Sequence, residues 1–232
     1  MTSRFHSFPD AGALAEGLAD TVAAKLSEAI AARGTASIAV SGGSTPKRFF
    51  EALSGRDLAW DKVTITLVDE RFVPADNPRS NHLLVATHLL KDKAAQATFL
   101  PLFRNLPSAL QAAAIATDET ADIGNPFDVV ILGMGGDGHT ASFFPGGNHL
   151  ERVIASDVPR GVMTMMADGA GEERLTFTFS SLADARFLAL HIEGEGKREV
   201  LEKAQSGTDE LEMPIRAVLN RASTPLDIYW AP

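Results

Sequence analysis

With 232 residues, 45% of them hydrophobic, the chain has ample material for a sizeable core and is long for one domain but short for two. No apolar run approaches the ~20 residues that cross a bilayer, cysteine is absent, and the formal net charge is −9. These features argue against a membrane span, against thiolate or disulfide chemistry, and against a broad nucleic-acid footprint, while an anionic small molecule remains bindable through a local basic pocket.

The opening Met1-Thr-Ser-Arg-Phe-His6 has no apolar signal core, which together with the missing cysteines points to a cytoplasmic protein. Asp10 is expected to cap a helix through about Ala32, with Leu14, Leu18, Val22, Leu26 and Ile30 as its apolar stripe and Arg33-Gly34 as its end. Ala36 to Val40 reads as a short buried strand. It runs into Ser41-Gly-Gly-Ser-Thr-Pro46 and a helix from Lys47 to Leu53, with Thr45 as N-cap and Pro46 as the first helical residue. A strand, a glycine turn and a helix start can form an anion cradle from the free N–H groups of Gly43, Ser44, Thr45 and Lys47; an ordinary strand-to-helix turn looks the same in sequence. The spacing is neither that of a P-loop nor that of a nucleophile elbow.

Val63 to Val68 is a second strand, delivering Asp69-Glu70-Arg71 and then a loop to Arg79. The planar fork of Arg71 suits a phosphate, whereas an ion pair with Glu70 or Asp76 is the structural alternative. Ser80-Asn81 marks the start of a helix through Leu90, and Pro107 to Ala116 is another. His82 and His88 are six apart, fall on different helix faces, and do not make a two-histidine metal site.

The centre of the chain is the apolar run Phe127 to Leu132, which stops at Gly133-Met-Gly-Gly-Asp-Gly-His139 and closes with Pro145-Gly146-Gly147. A strand ending in glycines and delivering an acid and a histidine is how an α/β protein sets reactive groups at the carboxyl edge of its sheet. The glycines also match Gly-x-Gly-x-x-Gly, but Pro145 interrupts the long helix a dinucleotide site needs. Gly161 to Met166, Arg174 to Phe179 and Arg186 to Ile192 read as strands. Gly194-Glu-Gly-Lys197 opens a helix through Gln205, Pro214 to Arg221 is helical, and Leu226 to Trp230 is a last strand. Strands alternate with helices without a break in composition. The class is therefore α/β, a largely parallel sheet covered on both faces, in a single domain over residues 1–232.

Four stretches, Ser41-Gly-Gly-Ser-Thr-Pro46, Val68-Asp-Glu-Arg71, Arg79-Ser-Asn81 and Gly133-Met-Gly-Gly-Asp-Gly-His-Thr-Ala-Ser142, together resemble the 6-phosphogluconolactonase family over nearly the whole chain. Arg174-Leu-Thr176 and Gly194-Glu-Gly-Lys197 are also similar to lactonase segments. The resemblance implies a three-layer, Rossmann-like open sheet, similar to glucosamine-6-phosphate deaminases and ribose-5-phosphate isomerases. Deaminases usually carry Asp-Glu-Tyr at Asp69-Glu70-Arg71 and Asn-Glu-Pro at Phe143-Phe144-Pro145, so both positions favour the lactonase. One departure is Gly169-Ala-Gly171, where relatives often have prolines.

The implied reaction is hydrolysis of 6-phospho-D-glucono-1,5-lactone to 6-phosphogluconate in the oxidative pentose phosphate pathway. Imidazoles titrate near ~6.5 in water, so His139 can serve as general base, with Asp137, Asp69 or Glu70 as the carboxylate that orients it. Backbone N–H groups of Gly135 to Gly138 are candidates for the oxyanion. The phosphate is expected among Gly42, Gly43, Ser44, Thr45, Arg71 and Lys197, with Asn81, Gly135, Gly136 and Arg174 as further pocket residues. Such a lactone also opens by itself in water, so neither a metal nor a cofactor is required. The rival readings are a deaminase–isomerase on the same scaffold, a serine hydrolase using Ser44 or Ser142, and a non-enzymatic sugar-phosphate binder. Nothing in the sequence chooses between monomer and dimer.

Overall fold

A computed structural model describes residues 3–232; Met1 and Thr2, part of the stretch read for export, lie outside them. The strands are β1 (Arg4–Ser7), β2 (Ala36–Val40), β3 (Val63–Leu67), β4 (Asp69–Arg71), β5 (Thr98–Leu100), β6 (Val129–Leu132), β7 (Val162–Met165), β8 (Arg174–Phe177), β9 (Phe187–Glu193) and β10 (Leu226–Ala231). The helices are α1 (Ala11–Arg33), α2 (Lys47–Ser54), α3 (Asn81–His88), α4 (Ala109–Thr120), α5 (Leu150–Val153), α6 (Phe179–Leu182), α7 (Glu195–Gln205) and α8 (Ile215–Arg221).

Seven strands form one sheet in the order β1-β10-β9-β6-β2-β3-β5, and every pairing in it is parallel. All residues of β2, β6 and β10 are buried. That is the signature of a sheet covered on both faces, which is why these segments read as unbroken apolar runs. The chain moves outward from β2 through β3 to β5, then returns to β6 on the other side of β2. The order thus reverses between β2 and β6, and a crevice opens beyond their carboxyl ends. Both glycine-rich turns leave the sheet there.

The local signals behave physically. The Asp10 carboxylate accepts the N–H of Ala13 at 2.8 Å, a cap worth ~1 kcal/mol, and Gly34 closes α1 at φ 84° with its N–H on the carbonyl of Ile30. The Ser80 hydroxyl caps α3 and the Ser108 hydroxyl caps α4. At α2 the expectation fails: Pro46 occupies the cap position, and Thr45 makes no capping bond.

The segments at 161–166 and 174–179 are strands, but not in the main sheet. They form an antiparallel sheet, β4-β8-β7. Val68 is the switch: its N–H continues the main sheet to the carbonyl of Val40 at 2.9 Å, while its own carbonyl accepts the N–H of Phe177 at 3.0 Å. This small sheet stands over the crevice and supplies its second wall. The edge strands β1 and β5 had no counterpart in the sequence reading.

Candidate active site

A cavity of about 430 Å³ lies over the carboxyl ends of β2, β6 and β9, and the small sheet closes its far side. Its near wall carries the turn Gly42 to Pro46, the start of the β6 loop, His139 and Lys197. The far wall carries Asp69, Arg71, Arg79, Asn81 and Arg174.

The β2 turn keeps its backbone donors open. The N–H of Ser41 still bonds the carbonyl of Ile131 at 3.0 Å, but those of Gly43, Ser44 and Thr45 find no acceptor among the described residues. Gly42 must lack a side chain, because the Asn81 carboxamide oxygen lies 1.9 Å from where a Cβ would stand. Gly43 turns the chain at φ 94°. Open N–H groups at the start of a helix are an anion-binding arrangement.

The β6 loop does the reverse. The N–H of Gly135 donates to the carbonyl of His139 at 2.8 Å, and that of Gly138 to the carbonyl of Gly135 at 3.2 Å. Gly136 is exposed and outside the cavity wall. The expected oxyanion donors at Gly135 and Gly138 are therefore committed within the loop. What the folded-in loop presents instead is side chains. The Asp137 carboxylate lies 2.6 Å from Nδ1 of His139 and also accepts that residue's N–H at 3.1 Å. The ring's hydrogen bond holds the Asp137 carboxyl down at about 2, against a smaller opposing effect of burial. A Cβ on Gly135 would fall 2.1 Å from that imidazole, so glycine is required for the pair to form. Phe144 packs on the imidazole at 4.5 Å between centroids. Ala141 sits at φ 49°, a left-handed backbone that alanine adopts only under constraint, within the same cavity wall.

Asp69 and Glu70 separate. Asp69 is in the cavity wall, with one carboxylate oxygen accepting the Ser142 hydroxyl at 2.5 Å. Glu70 is fully buried and faces away. It accepts the N–H groups of Arg71, Asn81 and His82, each at 2.7 Å, and the Ser80 hydroxyl at 3.0 Å. It anchors the start of α3. Burial pushes its carboxyl up, and those four bonds pull it back. The structure thus does not bring Glu70 to the other candidate catalytic groups, and the carboxylate on His139 is that of Asp137.

Arg71 forms no ion pair with Glu70 or Asp76; it donates to the carbonyl of Arg79, and its Nε is buried without a partner. Arg174 is buried beneath the cavity, with Nη2 on the carbonyl of Ala170 at 2.5 Å, Nε unpartnered, and its guanidinium over the Phe144 ring at 5.5 Å. Burial lowers its pKa, with Asp69 opposing, but a guanidinium stays charged. The departing stretch at Gly169-Ala-Gly171 is therefore part of the wall that fixes Arg174. Lys197 Nζ donates to the carbonyl of Met134 at 2.8 Å; burial lowers its pKa, and Asp137 offsets part of that. Arg79, Phe144 and His191 also line the cavity without having been singled out; Arg79 was within reach, since it opens one of the quoted motifs. Ser142 is fully buried against Asp69, and no serine is bonded to His139. No helix follows the β6 glycines before Leu150. Among the described residues, no group of three His, Cys, Asp or Glu side chains is placed to hold a metal.

The profile of a family described as glucosamine-6-phosphate isomerases/6-phosphogluconolactonase matches residues 9–230. The chain belongs to this family. A 6-phosphogluconolactonase of Rhizobium meliloti is 65% identical over 100% of both chains. The crystal structure of a 6-phosphogluconolactonase from Shewanella baltica superposes with a TM-score of 0.95 at 40% identity, over 99% of this chain and 98% of that one. A monomeric glucosamine-6-phosphate deaminase shares the fold at 16% identity, with a TM-score of 0.80 over 98% and 97% of the two chains.

Proposed function

We propose that the chain hydrolyses 6-phospho-D-glucono-1,5-lactone to 6-phosphogluconate as a single catalytic unit, with His139 as general base. The observation that carries this is the Asp137–His139 pair at the cavity wall. With Asp137 accepting the Nδ1 proton, the Nε2 lone pair is available to take a proton from water. That water attacks C1, and charge builds on the carbonyl oxygen. Since the Gly135 and Gly138 N–H groups are committed, stabilisation of this charge falls to other donors of the cavity. Collapse breaks the bond from C1 to the ring oxygen, which takes the proton back from the imidazolium; the carboxylic acid left at C1 gives its remaining proton to solvent and becomes the carboxylate product. Asp137 stays anionic throughout and stabilises the imidazolium.

The phosphate belongs with the open N–H groups of Gly43, Ser44 and Thr45 and the Lys197 ammonium on the near wall, and with Arg71 on the far wall. Lys197 gives one N–H to Met134 and keeps two for the ligand. Binding at this remote anion holds C1 near the imidazole. Asp69, with one oxygen on Ser142, offers the other to a sugar hydroxyl.

The test is 6-phosphogluconate formation from lactone generated in situ by glucose 6-phosphate and its dehydrogenase, measured above the spontaneous rate. Acceleration by the protein is the expected result. A folded protein that gives none, but releases ammonia from glucosamine 6-phosphate, would overturn the lactonase reading in favour of the deaminase.

A further inference from the structure

The stretch Gly169-Ala-Gly171, which departs from the prolines of relatives, is folded around a cation that the reaction just described does not use. Arg79 lines the cavity on its far wall, beside Arg71 and Arg174. Arg174 is buried and Arg71 half-buried, whereas the Arg79 side chain is 56% exposed, so an incoming solute meets it first. Its main chain is pinned: the N–H donates to the Asn77 carboxamide oxygen at 2.9 Å, and the carbonyl accepts from the Arg71 guanidinium. Two residues on, Asn81 packs on Gly42, so the segment stands beside the open β2 turn. The side chain is aimed as well. Nε lies 2.5 Å from one carboxylate oxygen of Glu172, and Nη1 and Nη2 donate to no acceptor among the described residues. The other Glu172 oxygen is buried without a hydrogen-bond partner, 4.0 Å from Nη2 of Arg174. Gly171 provides the seat. It turns the chain at φ 77°, and a Cβ there would stand 3.1 Å from Nη2 of Arg79. Proline cannot make that turn, because its ring fixes φ on the negative side.

We infer that Arg79 is a further specificity-determining residue, a guanidinium at the cavity mouth that binds the phosphate of the substrate, seated by Gly171 and oriented by Glu172. This rests on the phosphate reading given above. The lactone carries no other anionic group, so a cation at the mouth selects the phosphorylated sugar over the free one. The chain as a whole works against such a ligand, because a net charge of −9 repels a phosphate dianion at long range. Local charge reverses that: on the far wall the three arginines outnumber Asp69 and Glu172. An exposed ion pair adds little to stability, so fastening two loops does not account for the pairing of Arg79 with Glu172. What the pairing does is occupy Nε and hold the planar group in one orientation, with its two terminal nitrogens left for phosphate oxygens.

The experiment is steady-state kinetics on the phosphorylated lactone at several salt concentrations, with wild type, Arg79→Ala, Arg79→Lys, Gly171→Ala and the double variant Arg79→Ala/Gly171→Ala. Arg79→Ala is expected to raise KM roughly tenfold, the scale of one charge-assisted hydrogen bond, with kcat within about twofold and an unaltered midpoint in denaturant. Arg79→Lys keeps the charge without the fork and should recover part of the loss. In wild type kcat/KM falls as salt rises, and in Arg79→Ala the fall should be shallower, a change that a merely structural arginine does not produce. Gly171→Ala is expected to raise KM about threefold by strain at the positive φ and by displacing the guanidinium, and to add nothing once Arg79 is alanine. An unchanged KM in Arg79→Ala, or a salt dependence identical to that of wild type, overturns the inference. A Gly171→Ala effect of the same size in both backgrounds overturns the seating role of the glycine. Failure of the phosphate reading itself looks different: wild type then hydrolyses unphosphorylated glucono-1,5-lactone with the kcat/KM of the phosphorylated one.

Discussion

The turns after β2 and β6 look alike in sequence. Each follows a buried parallel strand, each is rich in glycine, and the two leave adjacent strands at the point where the sheet order reverses. Their hydrogen bonding is opposite. The β2 turn holds its N–H groups of Gly43, Ser44 and Thr45 open, whereas the β6 loop closes those of Gly135 and Gly138 on its own carbonyls. Backbone left free makes a site for an anion that need only be held. Backbone tied up makes a rigid mount for side chains that must hold one geometry, here Asp137 and His139 at 2.6 Å. Glycine thus serves two ends: at Gly43 a positive φ that exposes amides, and at Gly135 an absent Cβ that admits an imidazole.

If this division is right, the largest single loss comes from the β6 loop and falls on turnover. His139→Ala is expected to lower kcat by ~10²–10⁴-fold, the usual worth of a positioned general base, with KM within a few-fold. A variant that keeps near-normal kcat removes the imidazole from the chemistry. Asp137→Asn should follow, with kcat down about tenfold to a hundredfold, because the amide no longer favours one tautomer or stabilises the imidazolium. The pH profile sharpens the point. Asp137 is held down at about 2 and stays ionised across the working range, so the acid limb of kcat/KM is not its own titration. For stability the sign is that of a depressed carboxyl: the contribution is complete above its unfolded value near 3.8 and is lost as pH falls through about 2. Acid-unfolding curves of wild type and Asp137→Asn check that window.

The β2 turn should break differently. Gly43→Ala meets no atom within 4 Å, so crowding is not the issue; φ 94° is. The turn must rotate out of the left-handed region, and its N–H groups lose convergence. KM for the phosphorylated lactone is expected to rise roughly tenfold, with kcat changed by less than about threefold. A fall in kcat at constant KM would erase the contrast between the two turns.

Much of this contrast was legible before any coordinates. A buried strand running into glycines located both turns, and the acid and histidine at 137 and 139 were recognisable from their place after such a strand. What the sequence did not carry was partner choice. Nothing local says that β7 and β8 pair with β4 rather than with the main sheet, because that depends on where Val68 sends its carbonyl. Nor does a glycine-rich string announce whether its amides are open or closed, which is why Gly135 to Gly138 looked like oxyanion donors. Strands β1 and β5 have four and three residues at the sheet's edges, too short for an alternating pattern to register. One signal was present and unused. Side chains alternate along a strand, so Asp69 and Arg71 had to share a face and Glu70 had to take the other.

Glu70 therefore supplies the smallest effect on catalysis and the cleanest control on the far wall. Its carboxylate holds the N–H groups of Asn81 and His82 and the Ser80 hydroxyl at the start of α3, together with the N–H of Arg71 on β4, and through Asn81 it sets the side chain that packs on Gly42. In Glu70→Gln the amide nitrogen cannot accept, so one oxygen's share of those bonds is lost in a fully buried place. The expected loss is ~1–3 kcal/mol of stability, read as a lower midpoint in denaturant, while kcat per folded molecule stays within about twofold of wild type. Were Glu70 instead a catalytic carboxylate, as its neighbourhood in sequence suggests, the same variant would lose turnover at unchanged stability. Measuring both quantities on one sample decides between the two, because each reading forbids the other's result.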